Sequence, residues 1–148
     1  MSDEYPAVIP MLNYEDCVAA LDWLARAFGF RERQRLMEGD ARVGHAEMGT
    51  GRGGVIMLAS GPAGYESPAR RRERYAAIRE WSAVPWVIDG VLVYVDDVDQ
   101  HFERANQAGA HVLSAPEDAP YGRLYRVEDL EGHRWMFMQP PPSDTSHA

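Results

Sequence analysis

The stretch Gly122 to Met138, GRLYRVEDLEGHRWMFM, decides how the rest of the chain is read. Tyr125, Val127, Trp135 and Phe137 fall at every second position on either side of the tetrapeptide Asp129-Leu130-Glu131-Gly132. Alternate residues of a strand point to opposite faces, so this spacing predicts two antiparallel strands with one apolar face, joined by a tight turn. Gly132 supplies the positive φ such a turn needs, and Asp129 is placed to accept a hydrogen bond from the backbone two residues on.

Upstream, the same kind of hairpin recurs behind a helix. Val8 to Asn13 is a short β-type run, and Val18, Leu21, Leu24 and Phe28 repeat at helical spacing between the acids Glu15-Asp16 and the stop Gly29. Phe30 to Met37, Val43 to Met48 and Val55 to Ala59 read as strands, linked by Glu38-Gly39-Asp40 and by a loop over Gly49 to Gly54. The order is βαβββ. In the second half Val91 to Val95 is a strand, Asp96-Asp97 starts a helix carrying Val98, Phe102 and Ala105, and His111 to Ser114 is a strand. A loop over Pro116 to Pro120 and the opening hairpin complete a second βαβββ. Leu12 over Val93, Tyr14 over Val95, Asp16 over Asp97, Leu21 over Phe102 and Leu24 over Ala105 superpose the halves at an offset of about 81 residues. The expected organisation is one domain over 1–148, with modules at 7–59 and 87–139, a linker at 60–86 holding one helix over Pro68 to Trp81, and a flexible tail at 140–148.

Composition narrows the function. A chain of 148 residues with 45% hydrophobic and 26% charged side chains is one ordinary globular domain. Twenty-three acidic against fifteen basic residues give a net charge of −8, which excludes nucleic acid as the expected partner. The run Arg70-Arg71-Arg72 with Arg74 lies between Glu66 and Glu80 and reads as a solvated helix face. A single cysteine, Cys17, excludes an intrachain disulfide and suits a small buried filler. The apolar runs are too short to cross a bilayer and MSDEYP lacks the order of a signal peptide, so a cytoplasmic protein with no membrane partner is expected. GTGRGG at Gly49 to Gly54 precedes a strand and lacks the Lys-Ser/Thr ending of a phosphate loop.

Tandem βαβββ modules ending in the LEGHRW hairpin resemble the vicinal oxygen chelate superfamily, which holds glyoxalase I, fosfomycin-modifying enzymes, extradiol dioxygenases and metal-free bleomycin resistance proteins. The resemblance covers the chain up to Pro140. It implies an α+β fold in which the modules form a cupped half-barrel, and a homodimer. It also implies metal-ligand points on the first and last strand of each module, which fall here on Ile9, Met57, Gly90 and Met136. None suits a hard divalent ion, and a slip of one residue offers only Pro10, Ile56 or Leu58, Val91, and Trp135 or Phe137. No metal and no cofactor are therefore expected, and the chain stands nearest the metal-free members.

If Ala46 and Met48 face the helix, His45 and Glu47 point into the cup as a pair able to act as acid and base, to ligate, or to hydrogen-bond a ligand. A sheet-surface pair with only a structural role is the alternative. The same parity sets Asn13, Leu92, Tyr94 and Arg126 beside Met11, Met57 and Met136, an apolar cup with few polar groups. Trp86, with Trp81 and Tyr75, could stack on a flat ligand or serve packing; Trp23 and Trp135 are expected in the core, and His101 at the surface. The leading expectation is a metal-independent protein that sequesters an aromatic or antibiotic-like molecule in a dimer cleft. The alternative is a lyase, isomerase or oxidoreductase of the glyoxalase or dioxygenase type in which His45 and Glu47 carry acid-base or relocated metal chemistry.

Overall fold

A computed structural model describes residues 5–142. The elements run β1 (Met11–Tyr14), α1 (Cys17–Phe28), β2 (Arg31–Glu38), β3 (Arg42–Gly51), β4 (Gly54–Ser60), α2 (Pro68–Arg74), α3 (Ala76–Trp81), β5 (Val91–Tyr94), α4 (Val98–Gln107), β6 (His111–Ala119), β7 (Gly122–Glu128) and β8 (Arg134–Gln139). Two four-stranded mixed sheets result, ordered β1-β4-β3-β2 and β5-β8-β7-β6. Among the described residues they do not close into a barrel, and the α+β architecture is the expected one. The expected tail is described only to 142, and His147 lies outside the described residues.

The repeat seen in the sequence is also a repeat of local chemistry. Asp16 accepts the Ala19 N–H at 3.0 Å and Asp97 accepts the Gln100 N–H at 3.0 Å, so each module's helix starts on an aspartate cap. In the final hairpin Tyr125 pairs with Phe137 and Val127 with Trp135, and all four are fully buried, as their spacing requires. Trp23 and Cys17 are core residues as well. The core is shared: Tyr14, Leu21, Leu24, Phe28, Met48 and Leu58 from the first half lie in one cluster with Val93, Ala105, Tyr125 and Trp135 from the second.

Several element boundaries differ from expectation. The first strand, expected from Val8, starts at Met11, and Val8 is exposed. Strand β6 runs on through the expected 116–120 loop, and register breaks between Val112 and Ser114 and between Ser114 and Glu117 take up Pro116, which cannot donate to the ladder. The helix expected over 68–81 is two, divided at Tyr75, whose φ of −116 and ψ of 113 are extended. The Gly49 to Gly54 loop shrinks to a two-residue hairpin turn at Arg52 and Gly53, both at positive φ.

Several polar contacts join the halves. Asp129, 5% exposed, accepts hydrogen bonds from Tyr14 Oη at 2.7 Å and Trp135 Nε1 at 3.1 Å, and from the Glu131 and His133 N–H groups at 3.0 Å each. Burial raises its pKa against those donors, and burial raises that of Tyr14 too. Glu131 accepts the Glu15 and Asp16 N–H groups at the start of α1. At the other end of α1, Arg104 of α4 donates to the Arg26 carbonyl and to the Ala25 carbonyl, which also accepts the Gly29 N–H, and His101 Nε2 donates to the Phe28 carbonyl at 2.9 Å, so the last turn's acceptors are covered from the other half. His101 is thus no surface residue: its Nδ1 accepts from Tyr125 Oη at 2.6 Å, its ring lies 4.0 Å from that of Phe137, and burial lowers its pKa to about 4. The helical pattern placed it between core positions, but the packing of α4 on α1 covers that flank.

Two outcomes are expected. Tyr14→Phe strips a donor from a buried carboxylate and should cost roughly 1.5–3 kcal/mol, read as a lower urea midpoint; an unchanged midpoint would show that Asp129 does not tie the halves together. His101 is neutral when folded down to about pH 4 but protonates near 6.5 when unfolded, so its share of stability is complete above pH 6.5 and is lost as pH falls towards 4. Asp129 and Glu131, whose pKa values burial raises, act in the opposite sense at the acid end. The stability gap between the wild type and His101→Gln should therefore narrow by about 3 kcal/mol between pH 7.5 and 4; parallel curves would refute the assignment.

Candidate functional site

Each sheet buries one face against α1 and α4 and leaves the other open. In β1, Leu12 packs on the core and Tyr14 is fully buried, so Met11 and Asn13 occupy the open face, with Met11 81% exposed. Register continues that row: Met11 lies beside Met57, Met57 beside Glu47, and Glu47 beside Gln34. On the second sheet Val91 and Val93 pack inward, leaving Leu92 and Tyr94 about half exposed. Leu92 pairs with Met136, Met136 with Arg126, and Arg126 with Ser114. Arg126 therefore shares the face of Met136, and it donates to Ser114 Oγ at 3.1 Å and Glu117 at 2.8 Å. Each row joins an apolar pair, Met11-Met57 or Leu92-Met136, to a polar pair, Glu47-Gln34 or Arg126-Ser114, and the two rows belong to separate sheets.

His45 and Glu47 lie in the first row because Ala46 and Met48 are fully buried between and beside them. His45 Nε2 stands 2.8 Å from Glu47 Oε2, and Tyr5 Oη donates to the same carboxylate at 2.9 Å. The His45 side chain is 37% exposed and that of Glu47 6%. The hydrogen bond from His45 leads the causes that lower the Glu47 pKa, so the carboxylate stays charged near neutral pH and orients the imidazole. This leaves Nδ1 as the nitrogen available to a proton or a ligand.

The fold family implies a divalent metal, and the residues present do not fit one. Ile9, Met57 and Met136 offer no hard donor, and at Gly90 a Cβ would stand 2.3 Å from the Arg134 carbonyl oxygen, so no ligating side chain can be carried there. His45 and Glu47 supply two donors at most, one already engaged by Tyr5, and among the described residues no three His, Cys, Asp or Glu side chains gather into a metal-holding group.

A recess lies elsewhere, between the α2-α3 insert and the β1 edge. It encloses about 370 Å³ and is lined by Met11, Leu12, Asn13, Tyr65, Ile78 and Trp81, with Arg71, Arg72 and Arg134 around it. Of the residues singled out in the sequence as ligand-binding, Asn13 lines this cleft, whereas Leu92 and Tyr94 line a second groove of about 350 Å³ beside Pro6, Val8 and Val55. Trp86 lies outside both; it is 54% exposed and its carbonyl accepts from Arg134 Nη1. Sequence reading missed Tyr65, Ile78 and Arg71, because the interval that carries them has no period to show which side chains face inward.

The basic run that read as a solvated face is largely paired. Arg70 forms a bidentate pair with Glu15, whose pKa falls to about 2 chiefly through that bond, and Arg74 pairs with Glu66. Arg72 bonds the Gly132 carbonyl at 2.6 Å and Glu128 at 3.2 Å, and burial lowers its pKa. Arg134, 7% exposed, bonds Glu128 and the carbonyls of Ser82, Val84 and Trp86, pinning both insert helices to β8.

The sequence profile of the Glyoxalase/Bleomycin resistance protein/Dioxygenase superfamily matches residues 8–137. An uncharacterised Mycobacterium bovis protein is 32% identical over 136 residues, covering 91% of this chain and 84% of its own. Among solved structures, TioX from Micromonospora sp. ML1 is 34% identical with a TM-score of 0.67, over 95% of this chain and 100% of its own. TnmS3, an antibiotic binding protein from Streptomyces sp. CB03234, shares the fold at 17% identity and a TM-score of 0.59, over 93% and 98% of the two chains. With both halves of the repeat inside the matched region, the chain belongs to the glyoxalase/bleomycin resistance protein/dioxygenase superfamily.

Proposed function

We propose that this protein binds and sequesters an aromatic or antibiotic-like small molecule without a metal or cofactor, acting as a homodimer whose open sheet faces meet around the ligand. The observation that carries the reading is the pair of apolar rows, Met11-Met57 and Leu92-Met136, that the fold builds and then leaves uncovered. Met11, Leu92 and Tyr94 are 81%, 46% and 45% exposed, and large apolar side chains in such number on open faces mark a binding surface. Methionine is adaptable, which suits ligands of irregular shape. The polar members of the proposed site, Asn13, His45, Glu47 and Arg126, would orient the ligand, with Trp86 at the margin. An antibiotic binding protein, TnmS3, is built on the same fold.

A second reading rests on the His45–Glu47 contact. An imidazole held at 2.8 Å by a buried, ionised carboxylate is a competent general base, so a metal-free lyase or isomerase reaction at this pair is the alternative.

Tryptophan-fluorescence titration with a panel of aromatic antibiotics should give saturable binding, and sedimentation should give a dimer. Leu92→Lys should weaken binding at least about tenfold by placing a charge on the apolar face. A panel without a binder, or a binder indifferent to Leu92→Lys, would refute sequestration on the sheet faces. His45→Ala should leave affinity within about threefold; if it instead abolishes conversion of a bound compound, the enzymatic reading replaces the first.

A further inference from the structure

We infer that the cleft between the α2-α3 insert and the β1 edge is a binding site of its own, selective for a flat aromatic anion such as an aryl carboxylate. The site stands on three features, of which the arginines set it apart from the sheet faces. Its walls are apolar and aromatic: Trp81, 55% exposed, and Ile78 come from α3, and Met11 from β1. Its volume of about 370 Å³ holds a bicyclic ring system and lies within the usual range of small-molecule sites. Its lining is rich in cations: Arg71, Arg72 and Arg134 meet there beside a single lining carboxylate, Asp89, in a protein of net charge −8.

The three arginines differ in what they can offer. Arg72 and Arg134 are committed to Glu128 and to backbone carbonyls, so they shape the cleft and supply field. Arg71 donates through Nε to the Glu66 carbonyl and stands 5.8 Å over the Tyr65 ring, and it makes no ion pair among the described residues. Its guanidinium can therefore present two N–H groups to a carboxylate in the bidentate manner. Across the cleft the Asn13 carbonyl is occupied by Tyr65 Oη at 3.0 Å and His133 Nε2 at 2.8 Å, while its side-chain amide has no partner among the described residues and can bond a second ligand oxygen. A flat ring between Trp81 and Met11 would thus carry its anion towards Arg71 and Asn13. Asn13 stands at the margin that the cleft shares with the first sheet's open face, whereas Arg71 belongs to the cleft and its role here does not depend on whether the sheet faces bind anything.

Isothermal titration calorimetry with 2-naphthoate and with its neutral counterpart 2-naphthamide separates ring from charge. Naphthoate should bind with one site per chain and at least about fivefold more tightly than the amide, as expected for a charge-assisted pair at a half-open site. Arg71→Gln should reduce naphthoate to the affinity of the amide while leaving the amide unchanged, Arg71→Lys should recover part of the loss, and Trp81→Ala should weaken both. A urea midpoint matching the wild type for Arg71→Gln, expected because Arg71 makes no ion pair, keeps the comparison clean. Leu92→Lys, on the other surface, should leave naphthoate binding intact. Equal affinity for acid and amide, no naphthoate binding at millimolar concentration, or a loss of binding in Leu92→Lys but not in Arg71→Gln would overturn the proposal; the last result would still support binding at the sheet faces.

Discussion

The buried carboxylate of Asp129 is the contact on which the arrangement of the two halves depends. A charged group with 5% exposure is tolerable only if its lone pairs are filled, and four donors fill them. Two come from its own turn, one from Trp135 in β8 and one from Tyr14 in β1. The turn is therefore both closed on itself and fastened to the first module. Gly132 permits this closeness: it has a φ of 88°, and a Cβ there would stand 2.7 Å from the Ala69 nitrogen of α2. One turn thus fixes β8, β1 and the start of the insert together.

The same economy governs α1, whose exposed backbone groups are satisfied from the other half at both ends. Glu131 takes the N–H groups at its start, and Arg104 and His101 serve the carbonyls at its end. Because these partners sit on the hairpin turn and on α4, the two helices and the two sheets have one relative placement. The open faces of the sheets are the geometric remainder: once the inner faces are buried together, no helix among the described residues covers the rows through Met57 and Met136, and Tyr5 reaches Glu47 in the first.

The insert gives the molecule a second kind of surface. Arg72 and Arg134 gather on Glu128, with His111 3.1 Å from its other oxygen; Arg72 bonds the Gly132 carbonyl, and Arg134 holds the carbonyls of Ser82, Val84 and Trp86 against β8. Anchoring of this kind keeps a cleft open beneath two short helices that bury no residue of their own. The superfamily's metal positions have meanwhile become apolar or, at Gly90, sterically closed, so what chemistry the protein retains rests on polar side chains such as His45 and Glu47.

Periodicity made the repeat, the strand faces and the final hairpin legible, because alternation in Tyr125, Val127, Trp135 and Phe137 and helical spacing in Leu21, Leu24 and Phe28 are local consequences of backbone geometry. It also placed His45 with Glu47 and Arg126 with Met136, since parity along a strand survives folding. The 60–86 interval lacked such a period, and no local pattern there shows that Arg72 is buried on Glu128, that Tyr65 reaches Asn13, or that Trp81 lines a cleft and Trp86 does not. His101 was misplaced for a related reason: its helix position is indifferent, and only the packing of α4 against α1 brings the Phe28 carbonyl and the Tyr125 hydroxyl to its two nitrogens. The sequence by itself determined the fold and the faces, whereas the tertiary structure decided the pairings and the cleft, because charges and aromatic side chains in irregular segments take their partners from residues far away in the chain.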